Sequence, residues 1–248
     1  MKFEKLNDRA YFLTIEKDVS SLDEEMYFYL KVTDKKIILT DTHLGKKSMK
    51  PIIDYIKENG WGNKEIIVFN SHSDWDHIWG NCAFKDSKII SHKLCKEIIE
   101  KEGESVLKEK SSYKMGEVKI VKPNIIFDDE YELKDQKVKF KYTPSHTKDS
   151  ACLYDYENSI IYVGDVLEKP IPFIRTLDLD KYINVLKWIK NLEVDTIITA
   201  HSGIVKEKLI DETIEYLKNL KLNKEIVYKN ELKNSYHRSN LKFLQKNN

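Results

Sequence analysis

Cysteine is scarce. Three in 248 residues, Cys82, Cys95 and Cys152, form neither a disulfide framework nor a zinc-like spacing. They fit reduced thiols packed in the core of a cytoplasmic protein. Glycine and proline are also few, eight and five, and no Pro/Gly/Ser-rich linker, low-complexity tract or internal repeat divides the chain. No run approaches 18 apolar residues, which excludes a transmembrane helix. The N-terminus, Met1 to Asp8, has no apolar h-region, so no secretory signal is expected. Charge of one sign is lacking too. With 42 basic and 41 acidic residues the formal net charge is +1, without the basic excess of a dedicated nucleic-acid binder. The expected location is cytoplasmic, with neither a nucleic acid nor a membrane as partner.

What is present describes an ordinary globular protein with a heavily charged surface: 41% hydrophobic and 33% charged residues. The length suits one large domain or two small ones and buries a core without staples. Runs rich in β-branched and aromatic residues predict strands over 10–15, 26–33 and 36–41, with a hairpin turn at 32–36. A helix is predicted over 50–59, with Pro51 in its first turn and Gly60 past its end. A strand over 65–69, a short strand over 88–90 and a helix over 93–102 follow. Further strands are expected over 137–142, 151–154, 160–163 and 196–200. Helices are expected over 180–191, 207–220 and 223–245, the last highly charged and frayed at its end. Strands first, then helix and strand in each half, imply two packed sheets covered outside by helices.

The most informative stretch is Ser71 to Asn81, S-H-S-D-W-D-H-I-W-G-N. His72, Asp74, Asp76 and His77 fall within six positions, directly after the apolar run Ile66–Phe69. A strand that ends by delivering imidazoles and carboxylates into a loop can build a metal site on a rigid edge. Three more ligand types follow apolar runs: His146 in T-P-S-H-T, Asp165 in Y-V-G-D-V and His201 in T-A-H-S-G. Each alone reads as a cap or turn residue; together they read as one metal constellation.

H-S-D-W-D-H, then S-H-T, V-G-D and A-H-S in that order, resemble the metallo-β-lactamase-fold hydrolase superfamily across nearly the whole chain. The resemblance implies one domain over 1–248, an α/β (α+β) four-layer αββα sandwich of two mixed sheets flanked by helices. It also implies two metal ions per chain between the sheets. His72, Asp74 and His146 would hold the first; Asp76, His77 and His201 the second; Asp165 would bridge them.

Departures from the family pattern carry information. Asp74 stands where His is common. Three carboxylates against two divalent ions leave the bare site at +1 and make it harder, which favours iron or manganese more than an all-histidine site would. Zinc accepts carboxylate oxygen and stays the leading expectation. An acidic residue here is similar to the di-iron flavoproteins and certain phosphocholine esterases of the superfamily. Pro144-Ser-His-Thr-Lys-Asp149 replaces P-G-H-T-P-G, so Lys148 either points a cation at the site mouth or is a solvated lysine. Asp41-Thr42-His43 replaces D-T-G. Asp41 is expected to buttress the ligand loop, and His43 either donates a proton near the substrate or is an exposed loop residue. Trp75 and Trp79 wall the pocket or pack against the neighbouring loop. His92 and His237 read as surface residues, and Cys82 as core packing.

The expected activity is metal-dependent hydrolysis of a small ester, thioester, lactone or phosphodiester by a bridging hydroxide, with Asp76 and Asp165 as catalytic carboxylates. Asp165 argues against antibiotic hydrolysis, because true β-lactamases of this fold usually lack the bridging carboxylate. Only 47 residues follow His201, short for the helical substrate domain of glyoxalase II-like thioesterases. One alternative is a di-iron redox protein acting on oxygen or nitric oxide with a separate electron donor. Another is a non-catalytic ligand sensor on a metal scaffold. His43 and Lys148 are the candidate substrate contacts, the partner is a small molecule, and a homodimer is the default assembly.

Overall fold

The computed structural model describes residues 1–222, 224 and 226–247. Among the described residues the chain forms thirteen strands and six helices. The first half holds β1 (Lys2–Lys5), β2 (Ala10–Ile15), β3 (Met26–Val32), β4 (Lys36–Thr40), α1 (Lys46–Glu58), β5 (Glu65–Phe69), α2 (Trp75–Ile78), β6 (Lys88–His92), α3 (Lys93–Glu109) and β7 (Ile125–Phe127). The second half holds β8 (Glu130–Leu133), β9 (Val138–Tyr142), β10 (Ala151–Asp155), β11 (Ile160–Tyr162), α4 (Leu179–Asn191), β12 (Thr196–Thr199), β13 (Gly203–Val205), α5 (Lys208–Lys221) and α6 (Glu231–Asn247).

The strands build two mixed sheets. One runs β1-β2-β3-β4-β5-β6-β7, the other β13-β12-β11-β10-β9-β8. In the first, β1 to β4 are antiparallel and β4 to β7 parallel. In the second, only the β11–β12 pair is parallel. Period-two alternation decides what each strand buries. Leu153, Tyr162 and Ile198 turn inward to the core shared with the first sheet. Their neighbours Cys152, Ile161 and Ile197 turn outward to α4 and α5, against Leu186, Ile189, Ile210 and Leu217. Met49, Ile52 and Ile56 of α1 join the first cluster, and Cys95 and Ile99 of α3 pack with Leu44, Ile78 and Trp79. The layers are therefore helix, sheet, sheet, helix, the expected αββα sandwich. No helix among the described residues is long and apolar enough to cross a membrane.

Several expectations need correction. Helix α1 begins at Lys46, so Pro51 lies inside it rather than in its first turn. The extra turn is fixed by distant partners: Lys46 N donates to Glu117 O at 3.1 Å and Lys47 N to Met115 O at 3.0 Å. Helix α3 runs to Glu109, seven residues beyond the expected end. Of the helix expected over 223–245, residues 223 and 225 lie outside those described, and α6 occupies Glu231–Asn247. Strands β1, β7, β8 and β13 carry no apolar run long enough to announce them. His92 and His237 are buried, at 2% and 5% exposure, not on the surface. His92 caps α3 by accepting from Leu94 N at 3.3 Å and stacks on Tyr142 with ring centroids 3.8 Å apart.

Candidate metal centre

Strand direction gathers the site. In the second sheet β9, β11 and β12 run the same way, because β10 is antiparallel to both β9 and β11 and β12 is parallel to β11. His146, Asp165 and His201 follow these three strands and so emerge at one edge. In the first sheet β4 and β5 are parallel; Asp41 follows one, and the His72–His77 loop with α2 follows the other. The edges meet through Gly164. Its φ is +55°, and a Cβ there would lie 2.7 Å from Ser71 Oγ, so the V-G-D glycine is required by both conformation and close approach.

All seven expected residues converge. Three groups have ligand atoms within 4.8 Å of one another: His72, Asp74 and His146; Asp76, His77 and His201; and His72, His77 and Asp165. Asp165 sits between the first two. Its Oδ2 lies 3.4 Å from His77 Nε2, 3.7 Å from His72 Nε2, 3.8 Å from His201 Nε2 and 3.9 Å from His146 Nε2. Asp74 Oδ2 is 3.6 and 3.7 Å from the His72 and His146 Nε2 atoms. Asp76 Oδ2 is 3.5 and 3.2 Å from those of His77 and His201.

The four imidazoles share one arrangement. Each turns Nε2 to the centre and uses Nδ1 elsewhere: His72 on Ser71 Oγ at 3.0 Å, His77 on Asp41 Oδ2 at 2.9 Å, His146 on Phe173 O at 2.8 Å and His201 on Glu25 O at 3.2 Å. Carboxylate and carbonyl oxygens only accept, so Nδ1 carries the proton on His77, His146 and His201. Ser71 Oγ donates to Asp41 Oδ2 at 2.7 Å, which leaves it to accept from His72. The four Nε2 atoms are thereby presented inward, where each can take a proton or a metal ion. Those of His77 and His201 stand 3.3 Å apart, and His72 Nε2, His146 Nε2 and Asp165 Oδ1 are buried without a hydrogen-bond partner. Facing lone pairs and unpartnered buried acceptors call for positive charge among them. Nitrogen and carboxylate-oxygen donors in this number suit zinc, iron or manganese; the residues fit metal ions.

Electrostatics agree. Burial alone would lower the histidines, yet His146 is pushed up to about 9, chiefly by Asp74 and Asp165, and His201 to about 10, chiefly by Asp165 and Asp76. Burial would raise Asp165, but the fields of His77 and His201 hold it well below the usual carboxylate range. The cluster draws cations.

Asp41, at φ +51° and fully buried, accepts four hydrogen bonds: Ser71 N on Oδ1, and Ser71 Oγ, His77 Nδ1 and Tyr162 Oη on Oδ2. It buttresses the ligand loop as expected, and also ties it to β11. His43 is fully buried rather than an exposed loop residue. Neither ring nitrogen has a partner, and burial pushes its pKa down to about 3, so the ring is neutral. Lys148 is exposed. Trp75 and Trp79 pack on each other, centroids 4.8 Å apart, and Trp75 on Tyr113. Cys82 Sγ bonds Trp79 O and Glu117 O, as core packing. Sequence reasoning missed the carbonyls of Phe173 and Glu25, which carry no side-chain signal, and Asp149, whose Oδ2 accepts from Ser73 N at 2.8 Å. Ser71 opens the ligand stretch and Tyr162 lies within the strand expected over 160–163, but neither carried a signal of its bond to Asp41.

A model of the metallo-beta-lactamase superfamily matches residues 26–201. The chain belongs to the metallo-beta-lactamase superfamily. It is 27% identical over 146 residues to a hydroxyacylglutathione hydrolase of Pelagibacter ubique. That match covers 58% of this chain and 52% of the relative, so the chain spans about half the length of the curated relative it matches. Among solved structures, a metallo-beta-lactamase from Pontibacter korlensis superposes with TM-score 0.69 at 16% identity, over 88% of this chain and 99% of that one. One from Hirschia baltica gives 0.68 at 13%, over 87% and 97%. At these identities the superfamily likeness extends to the sandwich and no further.

Proposed function

We propose that the chain is a dinuclear metallohydrolase of a small acyl substrate. The observation that carries this reading is the place of Asp165, whose Oδ2 lies within 3.9 Å of all four imidazole Nε2 atoms, between two three-residue donor sets. His72, Asp74 and His146 would hold one ion, Asp76, His77 and His201 the other, with Asp165 shared. Two divalent ions there supply Lewis acidity and lower the pKa of water. Asp74 puts a hard oxygen in the first set; zinc is the proposed metal, with iron or manganese admitted by that oxygen.

The chain's own carboxylates do the rest. Asp165 Oδ1, buried and unpartnered, is free to accept a hydrogen bond from the attacking water and fix its direction. Asp76, held against His77 and His201, would accept the second hydrogen bond of that water and fix its orientation with Asp165. His43, as a neutral ring, offers one N–H to the substrate, and Lys148 attracts an anionic substituent at the mouth. Of the esters, thioesters, lactones and phosphodiesters this chemistry serves, the likeness to a hydrolase of an acylated glutathione favours thioesters. The test is a hydrolysis screen of short thioesters, esters and phosphodiesters with the zinc-loaded chain and with Asp165→Ala. Turnover of a thioester that Asp165→Ala lacks is expected. Equal rates in both proteins would overturn the mechanism, and phosphodiester turnover alone would overturn the substrate assignment.

A further inference from the structure

Helix α6 is largely polar, yet Asn240 on it is 1% exposed. A buried amide needs its hydrogen bonds met, and Asn240 meets them on the loop between β11 and α4. Its Oδ1 accepts from Ile174 N at 2.9 Å, and its Nδ2 donates to Pro172 O at 2.8 Å and to Tyr216 Oη at 3.0 Å. Tyr216 Oη in turn lies 3.1 Å from the buried His237 Nδ1. The two backbone groups that Asn240 holds bracket Phe173. The Phe173 ring stacks on Tyr236 of α6, centroids 4.2 Å apart, and its N–H donates to Glu168 Oε2 at 3.3 Å. Its carbonyl accepts from His146 Nδ1 at 2.8 Å. Arg175 N then donates to His146 O at 2.9 Å. The strap 172–175 is thus pinned by α6 on one side and grips His146 by ring and backbone on the other.

We propose that Asn240 is a positioning residue for His146, acting through the Pro172–Ile174 strap, and that α6 thereby sets the affinity of the ion held by His72, Asp74 and His146. This rests on the metal reading above. The residue type is specific to the task. Gripping a carbonyl and an N–H on either side of one residue needs a donor and an acceptor on the same short side chain, which an amide supplies and a carboxylate or an aliphatic group does not. The acceptor for Nδ1–H aims a ligating imidazole, and loss of such partners typically weakens metal affinity by about 10- to 100-fold. The ion held by Asp76, His77 and His201 has no contact with the strap through these bonds and serves as the internal reference.

The test is a cobalt(II) titration of the full chain after chelator treatment, read by d–d absorption and elemental analysis, with amide exchange at 173–175. Three variants are compared: Asn240→Ala, Asn240→Asp and Asn234→Ala. Asn234 sits on the same helix but bonds only the Tyr228 backbone, so its variant reports general loosening of α6. Asn240→Ala is expected to speed exchange in the strap, weaken one of two cobalt ions about tenfold and change the absorption envelope, with the second ion unchanged. Asn234→Ala keeps both ions. Should Asn240→Ala fail to fold, Asn240→Asp is read in the same way, since it keeps the acceptor for Ile174 and loses the donor to Pro172. Wild-type affinity for both ions in the Asn240 variants overturns the proposal, as does equal weakening of both ions in all three variants. A wild-type chain that takes up no cobalt overturns the metal reading itself, and the proposal with it.

Discussion

Asp41 Oδ2 and His77 Nδ1 lie 2.9 Å apart in the interior, and the same oxygen takes Ser71 Oγ and Tyr162 Oη. One carboxylate at the end of β4 therefore aims a candidate ligand on α2, steadies the loop that carries His72 and anchors both to β11. Asp41→Ala strands four donors away from water. We expect the folded state to lose about 3–5 kcal/mol, the range for an uncompensated buried charge network, and metal affinity to fall about 10- to 100-fold. Urea unfolding with chelator and zinc titration read the two effects separately. Retained zinc affinity in a folded Asp41→Ala chain would show that His77 is aimed by something else.

The two sheets are also tied at the opposite edge. Lys31 of β3 and Asp155 at the end of β10, both fully buried, are 2.8 Å apart, and Lys31 also reaches Glu157 at 2.9 Å. Tyr29 Oη bonds the same Asp155. Lys31→Met leaves a buried carboxylate without its cation, which costs about 3–5 kcal/mol. Because β10 runs away from the metal edge, metal content per folded chain should not change. Loss of metal at full stability would contradict this division between fold and site.

Proton linkage gives a signed expectation. His146 and His201 stand raised to about 9 and about 10. A raised histidine stabilises the fold fully below its unfolded value of about 6.5 and loses that contribution as pH climbs through its folded value. Chelator-treated protein should therefore lose thermal stability between about pH 6.5 and about pH 10. Metal ions replace those protons, so affinity rises with pH over the same window, and the metal-loaded chain should lose less. Melting temperatures measured across that window with zinc and with chelator should diverge upward; parallel curves would contradict the assignment of these histidines.

Much of this architecture is legible in the residues, for a physical reason. Strands buried over most of their length, such as Glu65–Phe69 with its apolar run 66–69 and Thr196–Thr199 with Ile197 and Ile198, stand out, and the ligand types after them are conspicuous. That was enough to name all seven residues that converge. Short strands at or beside sheet edges, Lys2–Lys5 and Gly203–Val205, bury too little to leave a pattern. The first turn of α1 is held by Met115 and Glu117, about 70 residues away, and no local signal records that. The same holds for the groups that aim the histidines. A carbonyl at Phe173 or Glu25 is chosen by the path of the backbone, and Asn240 is one of three asparagines in its helix with nothing local to single it out. His92 and His237 read as surface residues because nothing in their local sequence points inward, and exposure was one of two readings for His43; all three are buried.

The proposed centre depends on Asp165 serving two ions at once. Elemental mass spectrometry of the chain purified without added metal, beside Asp165→Ala prepared alike, tests it most directly. About two zinc, iron or manganese ions per wild-type chain are expected, as two-metal sites hold, with loss of both in the variant. A wild-type chain without metal, or an Asp165→Ala chain that keeps two, would contradict it.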